Sequence, residues 1–276
     1  MERAAKWPIP SETRFIETLS GQTFVRVSGR ITDPPLVLLP GSMGTSLSWI
    51  PNITALSAQY KIYAVDSIYD FGLSIRRKKI KTPDDIVTWL HEVLTALVPD
   101  IPANLIGLSY GGWLASQYAL RFPERVRKVV LLAPAVTVLP VSLALLFRAL
   151  LTRIPLPGFH EQFYYWLLQD TVQSGEFGRA MVDEAIADWI VAERCFAPLP
   201  TIAPKVLNDA ALRNFRVPCL FCVGEHEKIY SAQKAVNRLN RVAPQIKTEI
   251  IPNAGHDLTI AQAELVTKKM LDFLMT

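Results

Sequence analysis

The strongest constraint on the fold comes from one short stretch, residues 104–112, whose sequence is NLIGLSYGG. An apolar run leads into Gly107-x-Ser109-x-Gly111, and a helical pattern follows from Trp113 to Leu120. A strand, a sharp turn and a helix in this order hold a serine in a strained backbone conformation, with its hydroxyl pointing away from the sheet. Glycines on both sides let the strand and the helix pass closely. The stretch therefore predicts a nucleophilic serine at Ser109; the alternative is an ordinary strand-to-helix turn.

The rest of the chain alternates buried strands with helices, which predicts an α/β fold with a mostly parallel central sheet flanked by helices. Continuous apolar runs such as Leu36–Leu39 are typical of strands that are buried on both faces. The alternation stops after Pro134, and the pattern is then helical to about Arg213. We therefore expect a core formed by residues 1–136 and 214–276, with an inserted helical cap at residues 137–213. The predicted cap helices span Leu139–Leu151, Glu161–Leu168, Glu176–Cys195 and Ile202–Leu212.

Charge and hydropathy exclude several classes of partner. The net charge is only +4, and the one dense basic run, residues 76–81, lacks interleaved aromatic residues, so it is interpreted as a solvated loop. No nucleic-acid partner is therefore expected. The N-terminus lacks the apolar core of a signal peptide. The most apolar segment, Val136–Leu151, is short and contains Pro140 and Arg148, so no stable membrane span is expected.

The cysteines are interpreted as buried free thiols. There are three of them, Cys195, Cys219 and Cys222, and an odd number argues against a disulfide framework. Cys219 and Cys222 share one strand-like run, in which residues three apart point to opposite faces and cannot share a metal ion. A reducing, cytoplasmic location is the resulting expectation.

A serine hydroxyl needs a base to remove its proton and a third group to hold that base. Of the four histidines, His256 is favoured because it lies in a loop just past the last predicted strand. Loops at the carboxyl ends of parallel strands converge on one crevice, and Ser109 lies at such an end. The alternative for His256 is a helix-capping or buried loop histidine.

The third group is expected to be a carboxylate in a loop between Ser109 and His256. Glu227 is favoured because it follows closely on the strand that ends at Val223. Glu225 is the second candidate. Asp257 is a poorer one, because it adjoins the histidine and must point elsewhere. The alternative for Glu227 itself is a solvated loop charge.

Two backbone N–H groups are candidates for an oxyanion hole. Tyr110 follows the serine at a helix N-terminus, where the helix dipole favours negative charge. The loop Pro40–Gly44, called the oxyanion loop below, supplies Ser42 N–H as the second candidate donor. The alternative for this loop is a simple glycine-rich turn.

Taken in chain order, these motifs resemble those of the α/β-hydrolase superfamily over nearly the whole chain outside the cap. Residues 107–112 resemble its nucleophile elbow, residues 40–49 its oxyanion loop and residues 253–256 its catalytic histidine motif. Residues 65–74 and 224–230 are more closely similar to bacterial carboxylesterases of the naproxen-esterase type. Two departures stand out, because Pro40 replaces the usual histidine and Glu227 replaces the commoner aspartate.

The resemblance implies a serine esterase that cleaves small apolar esters through a Ser109–His256–Glu227 triad and a covalent acyl-enzyme. It implies no metal and no organic cofactor. A stripe of cap aromatics, together with Leu143–Leu151, indicates an apolar pocket, and the alternative is packing of the cap helices on the core; the stripe consists of Phe159, Phe163, Tyr164, Tyr165 and Trp166. The apolar helix Leu139–Leu151 is also compatible with a membrane contact or a homodimer. Two alternatives remain open. One is another serine-triad reaction, namely acyl transfer, perhydrolysis or hydrolysis of a carbon–carbon or amide bond. The other is a ligand-binding protein with little turnover.

Overall fold

A central β-sheet dominates the computed structural model, which describes residues 5–152, 158–195 and 202–276. The strands are β1 (Glu12–Thr18), β2 (Gly21–Ser28), β3 (Pro35–Leu39), β4 (Lys61–Val65), β5 (Ile75–Arg76), β6 (Ala103–Leu108), β7 (Val126–Leu132), β8 (Cys219–Gly224) and β9 (Lys247–Ile251). Their order is β1-β2-β4-β3-β6-β7-β8-β9, and β5 pairs with β2. Strand β2 pairs antiparallel with its neighbours, whereas every pairing from β4 through β3 to β9 is parallel. The predicted mostly parallel sheet is confirmed.

Strand β3 shows why the central strands are continuously apolar. Val37 and Leu39 belong to one hydrophobic cluster, and Leu36 and Leu38 belong to a second cluster on the opposite face. All four side chains are buried. A strand covered on both faces needs an apolar residue at every position, which is the pattern that the sequence shows.

Helices cover both faces of the sheet. They are α1 (Ile50–Ser57), α2 (Pro83–Leu97), α3 (Tyr110–Arg121), α4 (Leu143–Leu151), α5 (Phe159–Leu167), α6 (Gln169–Gln173), α7 (Glu176–Cys195), α8 (Asp209–Arg213), α9 (Ala232–Val242), α10 (Leu258–Ala261) and α11 (Ala263–Met275). Helices α2, α3 and α9 pack on the face that contains Val37, and α1 and α11 pack on the other. None of the helices in the described ranges has the length and apolarity needed to cross a bilayer.

The described segment between β7 and β8 contains α4 to α8, which are called the cap helices below. The prediction of a helix over Ile202–Leu212 is wrong for its first part, because residues 202–208 are not helical. Pro204 lacks an N–H and disfavours the helical conformation of the residue before it. Helix α8 begins only after Asn208, whose side-chain oxygen accepts the Ala211 N–H.

Two of the three cysteines are buried as predicted, and the third is not. Cys219 and Cys222 lie on opposite faces of β8, in different hydrophobic clusters. Burial raises the pKa of the Cys222 thiol to about 12 and that of Cys219 still further above its ordinary range. Cys195 is exposed at the end of α7, so the prediction that it is buried is wrong. It lies in a helix, and tertiary packing alone decides which side of that helix is covered.

We expect native protein to react rapidly with one equivalent of the thiol reagent DTNB, at the exposed Cys195. The buried Cys219 and Cys222 stay protonated at neutral pH, and a thiol reacts as its thiolate. Guanidinium denaturation should release all three thiols, and Cys195→Ser should abolish the native signal only. Rapid native labelling in that variant would contradict the burial of β8.

Candidate active site

Ser109 occupies the turn between β6 and α3, at the carboxyl edge of the sheet. Its φ of 52° and ψ of −114° lie in a region that residues with side chains rarely adopt. A methyl group on Gly107 would collide with the backbone of Gly111, and one on Gly111 would collide with the Leu39 carbonyl. The Ser109 N–H donates to the Leu132 carbonyl at 2.8 Å, which ties the turn to β7. The predicted strand, tight turn and helix are therefore confirmed, and Ser109 borders a cavity.

His256 lies in the loop between β9 and α10, next to Ser109. Its Nε2 is 2.9 Å from Ser109 Oγ, and its Nδ1 is 3.1 and 3.0 Å from the two carboxylate oxygens of Glu227. The His256 side chain is 10% exposed and that of Glu227 is 0% exposed. Three side chains that follow β6, β8 and β9 thus form one continuous hydrogen-bonded chain.

The buried Glu227 carboxylate is held by its own loop. Its Oε1 accepts the N–H groups of Lys228 and Ile229, both at 2.8 Å. A buried carboxylate is costly unless hydrogen bonds replace its lost water. Two backbone donors and the imidazole meet that requirement here. A solvated loop charge, the alternative that the sequence left open, does not describe a side chain with no exposed surface.

The two other carboxylates that the sequence offered lie elsewhere. Glu225 is exposed and accepts the Asn253 N–H at 3.3 Å. Asp257 is buried, and its Oδ2 accepts the Thr171 N–H of α6 at 2.7 Å. Neither carboxylate forms a hydrogen bond with His256 in the part of the chain that the structure describes.

The pKa of His256 is raised above its ordinary value by its acidic neighbours. Burial alone lowers this pKa, because it removes water from the charged imidazolium. The charge and hydrogen bond of Glu227, together with the charge of Asp257, outweigh that effect. The site therefore stabilises the imidazolium that forms when His256 takes a proton.

Two backbone N–H groups lie beside Ser109 at the border of the cavity. Tyr110 is the first residue of α3, so its N–H has no acceptor within the helix. For the Ser42 N–H, no acceptor is found within the described ranges. A methyl group on Gly41 would come within 3.2 Å of Ser109 Cβ, so the oxyanion loop passes close to the serine. Both candidate donors thus belong to chain segments that contact or include Ser109.

The cavity has a volume of about 910 Å³. Ser109 and His256 line the part called the cavity floor below, and the cap helices α4, α5 and α7 contribute to its walls. Phe163 and Tyr164 line it, whereas the other aromatic residues of the same stripe, Phe159, Tyr165 and Trp166, do not.

Trp189 also lines the cavity, and the sequence pattern did not single out this residue. Its helical spacing from Val182 and Ala185, which share the cavity wall, was the available signal. The aliphatic lining includes Val141, Leu145, Leu167, Leu168 and Val182.

The described residues contain no group of three or more His, Cys, Asp or Glu side chains with the arrangement of a metal site. The polar groups at the cavity floor are instead the serine, the imidazole and backbone N–H groups. Such a set of groups can transfer protons and stabilise an anionic oxygen.

Residues 36–268 match the α/β hydrolase family, and the chain belongs to that family. It is 34% identical to the uncharacterized carboxylesterase nap of Bacillus subtilis (strain 168), over 99% of this chain and 89% of that protein. It is also 34% identical to carboxylesterase YbfK of the same organism, over 97% of this chain and 89% of that protein. These similarities over nearly the full chain support its assignment as a carboxylic ester hydrolase.

A solved structure shows the same relationship in three dimensions. The crystal structure of naproxen esterase (carboxylesterase NP) from Bacillus subtilis superimposes with a TM-score of 0.86 at 35% sequence identity. The match covers 99% of this chain and 94% of that chain. The α/β-hydrolase fold predicted from the sequence is therefore confirmed, including its similarity to carboxylesterases of the naproxen-esterase type.

Asp257→Ala should lower the free energy of unfolding by roughly 1–3 kcal/mol, because it leaves buried N–H groups without an acceptor. These N–H groups belong to Thr171 and Gly255. Urea denaturation measures the effect. The exposed neighbour Glu225 provides the matched control, since Glu225→Ala should stay within about 0.5 kcal/mol of wild type. Equal stability of all three proteins would show that the link between α6 and the His256 loop is dispensable.

Proposed function

We propose that this enzyme hydrolyses small apolar carboxylic esters through Ser109, His256 and Glu227, with a covalent acyl-enzyme intermediate. The observation that carries the proposal is the hydrogen-bonded chain at the cavity floor, with 2.9 Å from Ser109 Oγ to His256 Nε2 and 3.0 Å from Nδ1 to Glu227 Oε2. Family membership supports a hydrolytic reaction, and the named relatives support an ester as the bond that is cleaved.

In the first step, His256 Nε2 accepts the hydroxyl proton while Ser109 Oγ attacks the ester carbonyl carbon. Glu227 holds the proton on Nδ1, so that Nε2 is the basic nitrogen. It also stabilises the imidazolium, in keeping with the raised pKa of His256. The carboxylate is not itself protonated in this step.

The carbonyl oxygen becomes negatively charged in the tetrahedral intermediate, and the N–H groups of Ser42 and Tyr110 stabilise it. The N-terminal end of α3 adds a favourable dipole at the same place. His256 then protonates the departing alkoxide, and the acyl group remains on Ser109. In the second half of the reaction, His256 takes a proton from a water molecule that attacks the acyl carbon. It then returns this proton to Ser109 Oγ as the bond between Oγ and the acyl carbon breaks and the carboxylic acid leaves.

The substrate is proposed to be apolar because the cavity walls are mostly apolar, although Glu184 and Asp188 of α7 also line them. Aliphatic and aromatic side chains of α4, α5 and α7 surround the space above Ser109. We propose that residues 137–213 act as a cap on a core of residues 1–136 and 214–276, and that this cap selects the acyl or alcohol group. The cytoplasmic location, the homodimer and the absence of a nucleic-acid partner stay predictions from the sequence.

Ser109→Ala should lower the rate of p-nitrophenyl butyrate hydrolysis by a factor of about 10⁴ or more, because it removes the attacking oxygen. The assay should pair this rate with fluorophosphonate labelling, followed by mass spectrometry of the modified peptide. We expect the label on Ser109 in wild type and no label in the variant. Turnover that survives the substitution would rule out Ser109 as the nucleophile.

Glu227→Gln should lower kcat by about 10³–10⁴, since an amide cannot stabilise the imidazolium as a carboxylate does. It should also move the acidic limb of the kcat/KM profile to lower pH. Glu227 raises the pKa of His256 and burial lowers it, so the pKa of His256 falls when the Glu227 charge is removed.

The exposed Glu225 supplies the matched control for this carboxylate. Glu225→Gln should retain nearly wild-type kcat and the wild-type acidic limb. Loss of activity in Glu225→Gln but not in Glu227→Gln would instead identify Glu225 as the acid of the triad.

A further inference from the structure

Met43 follows Ser42 in the oxyanion loop and has an unusual backbone. Its φ is 62°, in the left-handed region that residues with side chains rarely adopt without support from their surroundings. Three groups provide that support. Asp70 Oδ2 accepts the Met43 N–H at 2.6 Å, Trp189 Nε1 donates to the Met43 carbonyl at 3.0 Å, and the Tyr164 hydroxyl donates to Met43 Sδ at 2.9 Å.

The Asp70 carboxylate lies in the loop between β4 and β5, and both of its oxygens are used. Oδ1 accepts the Phe71 N–H at 2.8 Å while Oδ2 accepts that of Met43. No cation within the described ranges forms an ion pair with it. Among the described residues, its charge acts on the hydroxyls of Tyr69 and Tyr110, whose raised pKa values keep them neutral. The carboxylate is therefore a pure acceptor for two backbone donors.

We propose that Asp70 is a positioning residue for the oxyanion hole. Because its carboxylate takes the Met43 N–H, it holds the Ser42–Met43 peptide and leaves the Ser42 N–H as the donor for the substrate oxygen. Trp189 of α7 donates to the Met43 carbonyl, so the oxyanion loop is held by Asp70 from the core and by Trp189 from the cap helices. These two contacts are called the brace below. This inference rests on the proposed function.

The brace depends on the ionisation of Asp70. The two N–H groups are held best by the ionised carboxylate, because protonation turns one oxygen into a hydroxyl, which is a donor and a weaker acceptor. Burial raises the pKa of Asp70 to about 6, so the brace is intact above that pH and is lost below it. His256 must also be deprotonated to act as the base. Two protonations, one on each group, should therefore suppress kcat/KM at low pH.

Asp70→Asn tests the proposal, with Asp66→Asn as the matched control. Asp66 is a buried carboxylate of the same loop region, whereas Asp70 is half-buried, and Asp66 accepts the N–H groups of Ser46 and Leu73 rather than that of Met43. We expect Asp70→Asn to lower kcat by about 10- to 100-fold, on the scale of a weakened oxyanion donor, with KM little changed. The low-pH limb should change from a two-proton to a one-proton fall in Asp70→Asn and should stay two-proton in Asp66→Asn.

Trp189→Phe gives an independent readout, because it removes the indole N–H while keeping an aromatic ring against Tyr164. A lower kcat with KM little changed supports the brace, because loss of a substrate contact raises KM, and an unchanged kcat opposes it. If Asp70→Asn does not fold, the low-pH limb of wild-type kcat/KM decides: a two-proton fall supports the role of Asp70, and a one-proton fall overturns it.

The two possible failures can be told apart. Wild-type kcat and an unchanged low-pH limb in a folded Asp70→Asn protein would overturn the positioning role alone. Absence of Ser109-dependent turnover in wild type would overturn the proposed function instead.

Discussion

Backbone segments pack very closely where β6 turns into α3. Gly107 lies against Gly111, and Gly111 lies against the carbonyl of Leu39 at the end of β3. This packing has two consequences. It forces Ser109 into its strained conformation, with φ at 52°, at the edge of the sheet. It also draws the oxyanion loop, which begins just after Leu39, to the side of the serine. The positions of the proposed nucleophile and of the proposed oxyanion donors thus depend on one backbone contact, in which Gly107 and Gly111 leave no room for a side chain.

The parallel register of the sheet supplies the remaining groups of the proposed triad. Strands β6, β7, β8 and β9 are consecutive neighbours, so the loops after them open on the same edge. Glu227 follows β8 and His256 follows β9, and both end near Ser109 although they are far from it in the sequence. Burial then gives this arrangement its electrostatic character. The Glu227 side chain has no exposed surface, and its charge beside the imidazole raises the pKa of His256 against the effect of burial.

The loops of the proposed site are also contacts of the cap helices. Asp257, next to His256, binds the Thr171 N–H of α6, and Met43, next to Ser42, is bound by Trp189 of α7. The helices that enclose the apolar cavity therefore touch the same loops that hold the base and the candidate oxyanion donor. The proposed substrate selection and the proposed chemistry are therefore linked at these contacts, because a shift of a cap helix would displace a residue adjacent to a proposed reacting group.

Local patterns in the sequence were sufficient for the fold class, for the turn at Ser109 and for His256 as the favoured base. Apolar periodicity, glycine placement and strand-end loops are properties of neighbouring residues, and they are visible without coordinates. The sequence favoured Glu227 over Glu225, but only the tertiary structure showed Glu227 beside His256, left Cys195 on the surface and brought Trp189 to the oxyanion loop. Each of these outcomes depends on which distant segments cover a side chain, and burial and long-range contacts are not encoded in the spacing of any one stretch.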